Sequence, residues 1–113
     1  MRIALTRLGW PIVAGLAAAW AAGTAAQARP ARCQTSDDGT YACAFAATDR
    51  QGSFRISAPG KPTIRLEIDR PGVAFGFADF GARTVALPGR YRRSTADPAC
   101  WVNDETGAKV CAW

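Results

Sequence analysis

The run Ala99-Cys100-Trp101-Val102-Asn103-Asp104-Glu105-Thr106-Gly107-Ala108-Lys109-Val110-Cys111-Ala112-Trp113 constrains this chain more than any other stretch, because it predicts a β-hairpin that carries its own staple. Strand-forming residues flank the polar run Asp104 to Gly107. A four-residue loop ending in Gly supplies the left-handed conformation that such loops need. With that loop Asn103 faces Ala108, Val102 faces Lys109, Trp101 faces Val110, and Cys100 falls opposite Cys111. Directly opposed strand residues lie about 4.5 to 5.5 Å apart at Cα, within reach of a disulfide. Alternation puts Trp101, Val110 and Ala112 on the other face, the expected core face.

Cys33-Gln34-Thr35-Ser36-Asp37-Asp38-Gly39-Thr40-Tyr41-Ala42-Cys43 predicts a second stapled hairpin. A three-residue loop Asp37-Asp38-Gly39 pairs Ser36 with Thr40 and so Cys33 with Cys43. The pairing Cys33–Cys43 with Cys100–Cys111 is therefore preferred to the other two connectivities. Each bridge closes a loop of about a dozen residues, worth roughly 3 kcal/mol in the chain-entropy model.

Disulfides imply an oxidising compartment, and the N-terminus agrees. Arg2 and Arg7 form a basic start, Leu8 to Ala22 is an uncharged Ala-rich stretch, and Ala26-Gln27-Ala28 matches a small-residue cleavage site. This reads as a signal peptide over 1–28 and a periplasmic or secreted protein. The alternative is an uncleaved anchor, which the interrupting Gly9, Pro11, Gly15 and Gly23 disfavour. Cleavage leaves 85 of the 113 residues, one domain over 29–113. With Arg2 and Arg7 removed, 12 of the 14 basic residues stand against 9 acidic ones, a net +3. That mild excess favours anionic neighbours such as lipopolysaccharide, an acidic glycan or an acidic protein face, and falls short of a nucleic-acid footprint.

Between the hairpins, short alternating runs recur. Phe54, Ile56 and Ala58 line one side of a strand, and Ile64, Leu66 and Ile68 one side of the next. A Pro59–Thr63 loop pairs Ala58–Ile64, Ile56–Leu66 and Phe54–Ile68, with Arg55 opposite Glu67. A loop Asp69–Gly72 then pairs Leu66 with Phe75 and Ile64 with Phe77. This puts both phenylalanines in the core and Ala74, Gly76 and Ala78 outside. Thr84 to Leu87 and Arg90 to Thr95 complete the set. Eight or nine short strands define an all-β fold, a small antiparallel sandwich or closed barrel.

The chain has no histidine, which removes the commonest general base and metal ligand. The cysteine spacing contains no C-x-x-C, and no serine sits in a G-x-S-x-G elbow. No metal, no cofactor and no catalytic residue is expected. The carboxylate pairs Asp37/Asp38, Glu67/Asp69 and Asp104/Glu105 are the remaining candidates for hydrolysis or for a weak calcium site. The first and third sit in turns, where Asp is favoured for local backbone bonding.

Arg90-Tyr91-Arg92-Arg93, followed by Trp101, is the strongest candidate contact surface. Arg90 and Arg92 should share an outward face while Tyr91 turns inward. Trp113, at the terminus, fits either core or surface, and Arg90, Arg92, Arg93 and Trp113 form the candidate binding set. The segment Gly89-Arg90-Tyr91, then Trp101, then Gly107-Ala108, with Tyr41-Ala42-Cys43 near the start, resembles the periplasmic and membrane-bound inhibitors of c-type lysozyme. The resemblance implies a small exported β-barrel that carries a Ser-Gly-x-x-Tyr motif. Pro88 stands where that family has its serine. The expected function is a non-catalytic binding or inhibitory module of the cell envelope. An envelope structural protein without a discrete ligand is the alternative.

Overall fold

Nine strands, β1 (Arg29–Thr35), β2 (Gly39–Ala47), β3 (Phe54–Ser57), β4 (Thr63–Arg70), β5 (Val73–Asp79), β6 (Thr84–Ala86), β7 (Tyr91–Arg93), β8 (Cys100–Asn103) and β9 (Lys109–Ala112), make up the computed structural model, which describes residues 27–113. The proposed leader and its cleavage site at Ala28 lie almost wholly outside those residues. Every strand pairing is antiparallel, and the order β1-β2-β3-β4-β5-β7-β8-β9 closes on itself through β1–β9. The fold is thus a closed eight-stranded barrel with β6 as an extra strand on β5, which decides between the two architectures. Among the described residues, no helix is long and apolar enough to cross a membrane.

Apart from β6 and β7, which follow one another along one edge of β5, each strand neighbours the next in sequence, so the turns alternate between two ends. Turns 36–38, 58–62, 80–83 and 104–107 gather at one end, the upper end. Both described termini and turns 48–53, 71–72 and 94–99 gather at the lower end. Between them Phe54, Ile56, Leu66, Ala74, Tyr91, Trp101, Val110 and the Cys33–Cys43 bridge pack into one core.

Both predicted disulfides are present. In the β8–β9 hairpin Cys100 faces Cys111, Trp101 faces Val110 and Val102 faces Lys109, as the loop length requires. Gly107 takes a φ of 76°. The first hairpin turns differently. Its loop is Ser36–Asp38, so Thr35 faces Gly39, Cys33 faces Tyr41, and Cys43 faces Ala31. The shift is two residues, which preserves the face of every side chain. Cys33 and Cys43 become diagonal neighbours with Cα atoms 5.9 Å apart, and the bridge still closes.

Two other registers depart from expectation. β3 and β4 pair Phe54 with Leu66 and Ile56 with Ile64, again a two-residue shift that keeps the apolar faces inward. Arg55 consequently faces Arg65, and Glu67 finds its partner on its own strand, 2.8 Å from Arg65 Nε. The β4–β5 turn is shorter than expected. Pro71-Gly72 alone joins Arg70 to Val73, and an irregularity between Ile68 and Arg70 moves the register by one residue. A one-residue slip exchanges the two faces of a strand. Ala74, Gly76 and Ala78 point into the barrel, while Phe75 and Phe77 stand outside, reversing the expected core assignment. The outer phenylalanines lie under guanidinium groups, Phe77 under Arg65 and Phe75 under Arg90, each 4.6 Å from ring centroid to Cζ.

β6 and β7 share one edge of β5. β6 pairs with its upper half and β7 with its lower half, so the two act as one strand broken at Pro88-Gly89. Proline cannot donate to a ladder, and Gly89 takes a φ of 60°, which is why the break falls there. Only β7 continues the ladder to β8.

Candidate functional site

Tyr91 is inward and buried at 4% exposure, and the outward face of the same segment carries Arg90 and Arg92, as expected. Both arginines already have acidic partners. Arg92 Nε lies 3.4 Å from Asp104 Oδ2, and Arg90 Nε lies 3.6 Å from Asp69 Oδ2. Asp104 does more than shape its own turn. Its Oδ1 accepts a hydrogen bond from the Arg90 backbone N–H at 2.9 Å, and its own N–H donates to the Arg90 carbonyl at 2.8 Å. The backbone N–H of Arg90, followed by the charge of Arg92, holds the Asp104 carboxyl below its ordinary range. Asn103, buried at the same corner, donates to the Pro88 carbonyl at 2.7 Å and accepts from Glu105 and Thr106 N–H. Asn103 and Asp104 together clamp the β8–β9 turn to the break between β6 and β7.

Arg93 points the other way, into the lower mouth of the barrel. Its Cζ sits 4.7 Å from the Trp101 ring centroid, and it has no ion-pair partner among the described residues. Trp101 itself is 2% exposed, so the guanidinium lies against a core residue from the solvent side. A cleft of about 450 Å³ opens there, lined by Gln51, Ile68, Arg70, Gly72, Arg93 and Trp101, with Asp69 beside Arg70. Across the same mouth Arg29 lies over Phe45 at 4.5 Å, and Phe45 stacks on Phe54. The lower end thus presents Arg29, Arg70 and Arg93 around aromatic rings.

Trp113 belongs to neither arginine group. It continues β9 on the outer face, its backbone bonded both ways to Arg32 and its Nε1 donating to Asp97 Oδ2 at 3.1 Å. Arg32 covers its ring at 5.0 Å. Of the four residues expected to form one surface, only Arg90 and Arg92 share a patch. Arg93 defines the lower mouth, and Trp113 lies two strands away. Arg29 and Arg70 escaped sequence reading because only barrel closure brings β1, the β4–β5 turn and β7 to one rim.

The three carboxylate pairs are dispersed. Asp38 lies 3.7 Å from Lys61, Glu67 pairs with Arg65, and Asp104 is bound as described. Among the described residues no three metal-ligating side chains come together. No family model, no curated protein and no solved structure matches this chain.

Proposed function

We propose that this protein is a non-catalytic binding or inhibitory module of the bacterial cell envelope, exported by cleavage after Ala28, and that it engages an anionic partner with the lower end of its barrel. The observation that carries this reading is Arg93. Its guanidinium lies over the Trp101 ring with no ion-pair partner among the described residues, and Arg70, whose Nη1 lies 3.3 Å from Asp69 Oδ2, lines the same cleft. A guanidinium oriented in advance offers forked bonds to carboxylate or phosphate at reduced entropic cost. Arg90 and Arg92 instead serve the fold first, through Asp69 and Asp104.

A pull-down from envelope extract tests it. Capture should occur at low salt, weaken as salt is raised, and fall in an Arg93→Ala, Arg70→Ala double variant that remains folded. Capture that is indifferent to both salt and the double substitution would show that the contact lies elsewhere. N-terminal sequencing of periplasmic material should read from Arg29.

The resemblance to c-type lysozyme inhibitors supplies a second reading, favoured by the closed barrel. Tyr91 faces the core and Pro88 replaces the family's serine, so an inhibitory contact would have to use other groups around the barrel. Lysozyme inhibition by the purified protein checks this reading directly.

A further inference from the structure

The upper end of the barrel has a different character, and the split β6/β7 strand creates it. Beyond Pro88 the chain leaves the β7–β8 ladder, so no strand lies between β6 and the β8–β9 turn. Among the described residues, the hydrogen bonds that cross that interval are those of the Asn103 and Asp104 clamp. Below the gap is a cavity of about 390 Å³, walled by Ile64, Ala78, Leu87, Tyr91 and Val110, with Phe80 at its rim. Phe80 is 56% exposed. Small-molecule pockets begin at about 300 Å³ and are mostly apolar with a few convergent polar groups. This volume would hold about a dozen waters at roughly 30 Å³ each, or one compact organic molecule.

The charged residues that line the mouth are Asp37, Asp38 and Lys109, beside the neutral polar Thr35, Ser36, Asn103 and Thr106. Asp37 lines the cavity and has no ion-pair partner among the described residues. Asp38 is beside it, 3.7 Å from Lys61. Lys61 itself lies over the Tyr41 ring at 4.9 Å, and Arg83 lies 6.0 Å from the Phe80 ring. Lys109 borders the cavity, but Val110 points inward, so alternation turns the Lys109 side chain outward. Asp37 is therefore an acidic charge of this mouth with no ion-pair partner among the described residues. Asp37 and Tyr91 both line the cavity.

We propose that the upper mouth is a small-molecule site for a compact organic cation, with its apolar body between Leu87, Ile64 and Val110 and its ammonium group at Asp37 and the Tyr91 ring. The aliphatic wall excludes water from one side of the ammonium, and the Tyr91 ring in the same lining is an aromatic partner for it. The site is remote from the basic lower end and does not depend on the function proposed for that end.

The test uses the full chain with both disulfides intact, titrated calorimetrically with 2-phenylethylamine, the neutral 2-phenylethanol and the anionic phenylacetate. The amine should bind saturably at one site per chain, about tenfold or more tighter than the alcohol, with the acid weakest. Asp37→Asn should remove that amine preference while leaving alcohol binding unchanged, and Ala108→Phe, which plugs the rim, should abolish both. Arg93→Ala should leave amine binding untouched, which separates this site from the lower mouth. Failure of the amine to saturate at millimolar concentration, equal binding of all three probes, or an unaltered preference in Asp37→Asn overturns the proposal.

Discussion

Gly76 bears no side chain where Tyr91 fills the barrel: a Cβ built on it would lie 2.5 Å from Tyr91 Cε1 and 3.2 Å from Leu87 Cδ1. The two residues sit on neighbouring strands and compete for one volume. Gly76→Ala should therefore cost about 1 to 3 kcal/mol by overpacking, read as a lowered urea midpoint at unchanged slope. In a Tyr91→Leu background the same substitution should cost less, with a coupling of about 0.5 to 3 kcal/mol. Additive effects would mean that the ring does not occupy this space.

That contact also explains where sequence reasoning stopped. Matching strands in pairs favours Phe75 and Phe77 opposite Leu66 and Ile64, because each apolar pair is favourable alone. The alternative, with Ala74, Gly76 and Ala78 inside, gains its advantage from Tyr91 on a third strand, which pairwise matching does not include. The three register errors differ in consequence for the same reason. Two-residue shifts at Cys33–Cys43 and at Phe54–Leu66 left every face as expected, and the disulfides and most of the core were legible. The one-residue slip at Pro71-Gly72 reversed β5. For the site, the outward direction of Arg90 and Arg92 followed from alternation, whereas the convergence of Arg29, Arg70 and Arg93 needed barrel closure.

Trp101 and Arg93 touch but should respond differently to truncation. Trp101→Ala empties the middle of the core, costs about 3 to 5 kcal/mol, and should unfold a domain with so small a margin. Arg93→Ala removes an exposed guanidinium from one face of the ring and should cost about 0.5 to 1 kcal/mol. Thermal melts of the two variants decide the matter. A folded Trp101 variant would remove the indole from the core.

The two bridges should be separable. Peptide mapping without reduction should join Cys33 to Cys43 and Cys100 to Cys111. Replacing either pair by Ala should cost about 3 kcal/mol, mostly through freedom returned to the unfolded chain. Both replacements together should leave the chain largely unfolded at 37 °C. A fragment linking Cys33 to Cys111 would contradict the hairpins.

Asp104 predicts a loss of stability in acid. Its carboxyl is held below the ordinary value of 3.8 by the Arg90 N–H and then by Arg92, so the folded state binds its proton less readily than the unfolded one. The resulting stabilisation is present above the unfolded value and is lost as pH falls through the lower folded value. Asp104→Asn should reduce stability at pH 7 and flatten the decline below about pH 4, measured by urea titration at successive pH values. An unchanged acid slope in that variant would assign the decline to other carboxyls.

Tyr91 predicts the opposite limb. Burial raises its phenol above the ordinary value of 10.0, the Asn103 side chain offsets part of that rise, and the Asp37 carboxylate adds to it. An acid whose folded pKa is raised holds its proton longer in the folded state, so its contribution is intact below the unfolded value and is lost as pH rises towards the folded one. Tyr41 is raised in the same direction by burial and by Asp38, so both tyrosines act above about pH 10. Stability should fall as pH rises above about pH 10, and Tyr91→Phe, which keeps the ring against Gly76, should make that fall shallower without removing it. Urea midpoints of the two proteins across this range are the measurement. If the variant and the parent lose stability in parallel, the Tyr91 hydroxyl ionises as freely in the folded barrel as in the unfolded chain, and the upper mouth is wetter than its walls imply.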